Sequence, residues 1–177
     1  MANETAQVVC ANKVIADSIG AHHTTKKVET ATSMYPGTLV KKGTNSDDIV
    51  CATAGSDAYG WIGYEDTAKK YRQASVTTIC AESDQVDVFW GPGVIFAAYI
   101  ADGQTITKGE RLVSTAAGEL KAATAAAPAS GTVAVTSTGA QPTMAGSLPT
   151  EGLPVAIAEE DAAPSGANAR ILVRSLI

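Results

Sequence analysis

Hydrophobic positions in this chain come in short steps, most of them closed by a glycine turn. The stretch from Ala101 to Thr124 shows the pattern best. Asp102-Gly103, Lys108-Gly109 and Ala117-Gly118 supply backbone that tolerates positive φ, so three reversals fall within about twenty residues. Between the turns, Thr105-Ile106-Thr107 and Arg111-Leu112-Val113 alternate β-branched or apolar residues with polar ones, as a strand buried on one face does. The spacing leaves no room for a helix, and the segment predicts a β meander without a catalytic group.

The same grammar runs from Met34 onward. Pro36-Gly37 opens a strand at Thr38-Leu39-Val40, Lys42-Gly43 turns it, and Ile49-Val50-Cys51-Ala52 follows. The aromatic-rich run 58–64 predicts a core strand, because Trp and Tyr carry much of the apolar area in a chain that is only 5% aromatic. Residues 76–80 and 86–90 read as strands by alternation. The run 94–100, apolar on both faces, reads as a central strand after the Gly91-Pro92-Gly93 break, and 154–158 and 169–177 read as a closing pair. The best helical candidate is 65–74, with acids at its start and bases toward its end.

Two regions break the pattern. Residues 1–33 have apolar patches at Val8-Val9-Cys10 and Val14-Ile15, then His22-His23-Thr-Thr-Lys-Lys, with no clear period. They read either as an extended N-terminal arm that docks on something else or as an edge strand and loop of the chain's own domain. Residues near 130–153 are mostly Gly, Ser, Thr, Pro and Ala, the composition of a flexible insertion with an optional hairpin at Val133-Ala-Val135. The expected organisation is an arm over 1–33 and a domain over 34–177, all-β, forming a small β-barrel or β-sandwich.

Composition and charge narrow the function. With 177 residues and 45% hydrophobic content the chain can build one sizeable core. A net charge of −5 supplies no basic stripe, which argues against nucleic acid as a partner. The lysine pairs 26–27, 41–42 and 69–70 read as solvated edge protection. No run of apolar residues is long enough to span a membrane, and the polar N-terminus lacks a secretory pattern, so manufacture in the cytosol is expected. Cys10, Cys51 and Cys80 lack metal-ligand or disulfide spacing and read as buried small hydrophobes.

Candidate chemistry is sparse. His22 and His23 stand in no catalytic frame and read as a surface pair. Glu159-Glu160-Asp161 lacks regular oxygen-ligand spacing and reads as a solvated turn. Gly91-Pro92-Gly93 lacks the lysine and hydroxyl of a phosphate loop. Neither catalytic residues, nor a cofactor, nor a metal is expected, which leaves structural, binding or carrier roles.

Two resemblances bear on that choice. Lys108-Gly-Glu-Arg-Leu112, Lys121-Ala122 and Ala127-Pro-Ala-Ser-Gly-Thr-Val133 resemble half of a biotinyl/lipoyl carrier domain, which would make Lys121, on a hairpin tip, the attachment site. Acidic or methionine neighbours of that lysine and the mirror-image half are missing. Met34-Tyr-Pro-Gly-Thr-Leu-Val40, Ala58-Tyr-Gly-Trp61, Ile106-Thr-Lys-Gly-Glu-Arg-Leu-Val113, Gly118-Glu-Leu-Lys121, Pro154-Val-Ala-Ile-Ala158 and Ala169-Arg-Ile-Leu-Val173, in that order, resemble the capsid cement or head decoration proteins of tailed prokaryotic viruses.

That resemblance spans 34–177. It implies a virion protein on the outer capsid surface, assembled in the host cytoplasm, that ties major capsid subunits together and associates with itself, a homotrimer being the first choice and a dimer or monomer the alternatives. Contacts are expected in the arm and loops, at Val8, Val9, Val14, Ile15, Tyr35, Pro36 and Leu148, where segments can order on binding. Deleting residues 2–30 is then expected to abolish attachment while the barrel stays folded.

Overall fold

A computed structural model describes residues 21–30, 34–53, 57–64, 78–123, 153–163 and 169–177, together with the backbone of 15–17. Eleven strands and no α-helix lie among the described residues: β1 (Ile15–Asp17), β2 (His22–Val28), β3 (Leu39–Lys42), β4 (Asp48–Cys51), β5 (Ala58–Ile62), β6 (Gln85–Trp90), β7 (Ile95–Tyr99), β8 (Arg111–Ser114), β9 (Leu120–Ala122), β10 (Ala156–Ala158) and β11 (Arg170–Ser175). The fold is all-β. The helix expected over 65–74 and nearly all of the insertion near 130–153 lie outside the described residues.

The strands form two sheets. In the order β2-β4-β3-β5-β6 they close a barrel, and in the order β1-β7-β11-β10-β8-β9 they make a six-stranded sheet. The barrel wall facing that sheet is apolar on both sides, because side chains alternate along a strand. Val40, Ile62 and Val88 point inward with Val28, Met34, Ile49, Cys80 and Val86. Their neighbours Leu39, Trp61 and Phe89 point outward and join Phe96, Leu112, Leu120 and Val173 of the second sheet in one core. Register aligns the rows: Leu39 lies opposite Trp61, and Trp61 opposite Phe89. Trp61 is fully buried and stacks on Phe96 at 5.6 Å between ring centroids.

Backbone contacts clamp the two sheets where side chains leave no space. Tyr35-Pro36-Gly37-Thr38 is a tight turn closed by Thr38 N–H to the Tyr35 carbonyl at 2.9 Å, with Gly37 at φ +96°. A Cβ at Gly37 would strike the Ala97 carbonyl of β7, and one at Gly118, at φ +73°, would strike the Leu39 carbonyl of β3. Leu39 N–H donates to the Gly118 carbonyl at 3.0 Å, so the β8–β9 turn is fastened to the barrel wall. Both glycines come from the turns that mark the sequence.

Barrel closure rests on β2. It pairs antiparallel with β6 from His22↔Trp90 to Lys27↔Gln85, but in parallel with β4 only at Lys27↔Asp48 and Val28↔Ile49. In the second sheet β1 occupies the start of the β7 edge, with Ile15 opposite Phe96. Ile100 bridges to Leu120 at the far end of that edge, so β9 curls back toward β7.

Three expectations need correction. The domain boundary at 33/34 does not hold for the residues around 15–28, because β1 and β2 are strands of the two sheets; there the edge-strand alternative is the one observed. Residues 1–14 lie outside the described residues. Residues 78–80 of the expected strand 76–80 are irregular, although Cys80 N–H still donates to the Met34 carbonyl at 2.7 Å. The expected strand at 105–107 reduces to one bridge, Ile106↔Ala162, because the adjoining turns leave no further residues to pair.

Trp61→Ala is expected to cost about 3–5 kcal/mol, since it empties a large ring from the shared core. Urea unfolding should show a lower midpoint with little change in slope; a midpoint near wild type would refute the shared core. Removing residues 2–30 takes away β2 and should abolish the cooperative thermal transition, whereas removing 2–12 should preserve it. A cooperative melt from the longer deletion would contradict the observed closure.

Candidate functional site

The expected contact residues do not converge. Val8, Val9, Val14 and Leu148 lie outside the described residues, and Ile15 is held by its backbone against Phe96. Pro36 is buried in the turn before β3. Tyr35 is half-buried and packs on Tyr99 at 5.5 Å, with its N–H donated to Thr38 Oγ1 at 3.1 Å.

Tyr35 belongs to a cluster that spacing along the chain does not reveal. The Arg170 guanidinium lies 5.6 Å from the Tyr99 ring, and its Nη1 is buried without a hydrogen-bond partner. The ring face of Tyr99 supplies electrostatic compensation for that nitrogen. Burial pushes the Tyr99 hydroxyl pKa up, and the Arg170 charge opposes the rise.

A second aromatic group crosses the barrel end on β2, β6 and β5. His22 stacks on Trp90 at 5.9 Å, Tyr59 meets Trp90 at 5.5 Å, and His23 meets Phe89 at 5.5 Å. A register shift in the β3–β5 pairing between Val40 and Lys41 accompanies the placement of Tyr59 beside Trp90. Lys26 Nζ lies 5.8 Å from the Tyr59 ring and donates to the Ser46 carbonyl at 2.9 Å. Its side chain is only 15% exposed. Lys41 bridges Thr53 and Asp57 at 2.8 and 2.9 Å. The expectation of merely solvated lysines at 26 and 41 is therefore corrected: each is tied into the wall by specific acceptors.

Groups tested for chemistry are absorbed by the scaffold. Glu159 pairs with Arg174 at 2.6 Å, Glu160 accepts the Leu172 N–H at 2.8 Å, and Asp161 accepts the Lys108 N–H at 2.7 Å. Gly91 and Gly93 N–H groups donate to the Ile177 and Ser175 carbonyls. Among the described residues no three His, Cys, Asp or Glu side chains are grouped to hold a metal ion. Lys121 lies in β9 opposite Val113, half-buried and beyond the 116–118 turn. A carrier lysine belongs on the hairpin tip, so the attachment-site expectation fails on geometry.

What this arrangement defines is an all-β scaffold: a closed five-stranded barrel sharing its core with a second sheet. No protein-family model and no curated protein matches the chain. Among solved structures, it is similar to the head fiber gp8.5 N base of bacteriophage phi29, with 12% identity and a TM-score of 0.46, covering 88% of this chain and 93% of that one.

Burial pushes the Cys51 thiol up to about 11 and the Cys80 thiol up to about 12. Both stay protonated at pH 8, and neither is in a disulfide. Thiol-specific labelling at pH 8, mapped by peptide mass, should leave Cys80 unmodified in the native protein and label it on unfolding. Because the folded pKa values are raised, the unfolded chain binds fewer protons above pH 9. The thiols' contribution is therefore complete below about pH 9 and lost as pH rises through 11 and 12. Rapid native labelling of Cys80 would contradict its burial.

Proposed function

We propose that this chain is a virion structural protein that binds the outer surface of a capsid and stabilises contacts between major capsid subunits. One observation carries the reading: all six segments that resemble capsid cement proteins contribute to the strands β3, β5, β8, β9, β10 and β11 or their turns. Residues from each of the six segments contribute to one shared core.

Rigidity suits the task physically. A protein that braces a lattice needs to transmit strain between neighbours, and close-packed β cores resist deformation. Many copies turn weak contacts into strong attachment through multivalency. The proposed partners are the major capsid protein and further copies of the chain, as a homotrimer, with assembly in the host cytoplasm and residence on the capsid surface. Neither catalysis nor a cofactor is assigned.

The test is co-sedimentation of the full chain with purified capsids of its virus, followed by capsid melting. Stoichiometric attachment and a rise in the capsid melting temperature are expected. Failure to attach at micromolar concentration would overturn the proposal. Light scattering on the purified chain should give three times the 18.0 kDa chain mass if the trimer is formed in solution.

A further inference from the structure

The two tryptophans of this chain are used differently. Trp61 is fully buried in the shared core, whereas Trp90 is half-buried at the end of β6. An indole is among the largest apolar groups a core can take up, and in a chain that is 5% aromatic one of the two stays partly in water. Trp90 is also not isolated there. It continues the row of Val86 and Val88, which line the barrel interior, and His22 lies directly opposite it on β2, in the row of Thr24, Lys26 and Val28. Tyr59, beside the register shift in the β3–β5 pairing, packs against the same interior and meets Trp90.

The rings of His22, Trp90 and Tyr59 thus follow one another over the end of the barrel interior, with 28° between the first two planes and 40° between the second pair. His22 is exposed and the other two are half-buried, so each ring reaches solvent. Polar groups border them. Thr24 is half-buried on the same face of β2. Lys26 Nζ lies 5.8 Å from the Tyr59 ring, and the Ser46 carbonyl occupies one of its three N–H donors. The exposed large apolar side chains among the described residues, Ile79, Leu153 and Leu176, all lie off β2, β5 and β6.

We propose that His22, Trp90 and Tyr59 form a binding platform for an oligosaccharide of equatorially substituted hexoses. The pyranose rings of such a sugar present polarised C–H groups on their faces, and these suit the electron-rich face of an aromatic ring. Its hydroxyls meet the Thr24 hydroxyl and the Lys26 ammonium at the border, in the mixture of aromatic surface and few polar groups that ligand sites at barrel ends share. Two other occupants fit less well. The anchor of a protein interface sits among apolar contacts that exclude water, and no large apolar side chain is exposed on these three strands. Nucleic-acid bases also stack on aromatic rings, but a strand of phosphates meets a chain of net charge −5. The inference goes beyond the capsid reading and does not rest on it.

The probes are the β-1,4-linked hexamers of glucose and of N-acetylglucosamine, titrated into the full chain and read by NMR of the two indole N–H groups. At least one hexamer is expected to shift the Trp90 signal saturably while the Trp61 signal stays in place. Trp90→Ala should weaken binding at least tenfold. His22→Ala removes an exposed ring, so it should keep the thermal melt and weaken binding severalfold. His23→Ala is the matched control, because His23 is equally exposed but lies on the opposite face of β2, against Phe89. It should bind as the wild-type chain does.

No saturable shift with either hexamer at millimolar concentration would overturn the proposal, whatever the variants do. Unchanged binding by a folded Trp90→Ala chain would overturn the platform, and where that variant does not fold, unchanged binding by His22→Ala does the same. Weaker binding by His23→Ala with none by His22→Ala would put the sugar on the other face of β2 and overturn the assigned residues. Capsid attachment lost in His22→Ala while the hexamers fail to bind the wild-type chain would replace the saccharide with a protein contact.

Discussion

The structure depends on a barrel wall that is apolar on both faces. Leu39-Val40 and Trp61-Ile62 each send one side chain into the barrel and its neighbour into the second sheet, and Val88-Phe89 does the same on β6. Neither sheet could bury its inner row alone, since a small barrel without the second sheet would leave Leu39, Trp61 and Phe89 against water. That dual burial couples two sheets of different strand order into one body. It also explains the exacting glycines. Where two backbones approach as closely as β3 approaches the Gly118 turn, and β7 the Gly37 turn, only a residue without a Cβ fits.

Much of this was legible locally. The glycine turns at 103, 109 and 118 fall where the sequence places them, each with positive φ. The run 94–100 is the buried strand its two apolar faces imply, and the final two strands pair as expected. What escaped was set by partners distant in sequence. His22–Val28 is mostly polar because several of its side chains face solvent, so it reads as an arm, yet β6 captures it across more than fifty residues of chain. Composition could not reveal that capture. Lys26 and Lys41 resemble surface lysines until the fold supplies Ser46, Asp57 and Thr53 as acceptors.

The candidate site was less legible than the fold. Pro36 signals a turn correctly, but a turn signal does not separate an exposed loop from one wedged between sheets, and here the proline is buried. Tyr35 gains its significance from Tyr99 and Arg170, which lie far along the chain. Lys121 illustrates the converse: a suggestive local motif loses its chemistry once the strand pairing is fixed.

These features describe a scaffold of two sheets packed around a shared core. The most direct measurement of the proposed role is a cryo-electron microscopy reconstruction of capsids incubated with this chain. The account predicts density for a barrel and its attached sheet on the outer capsid surface, bridging neighbouring capsid subunits. Capsids whose outer surface lacks that density, or particles in which the chain lies inside the shell, would contradict it.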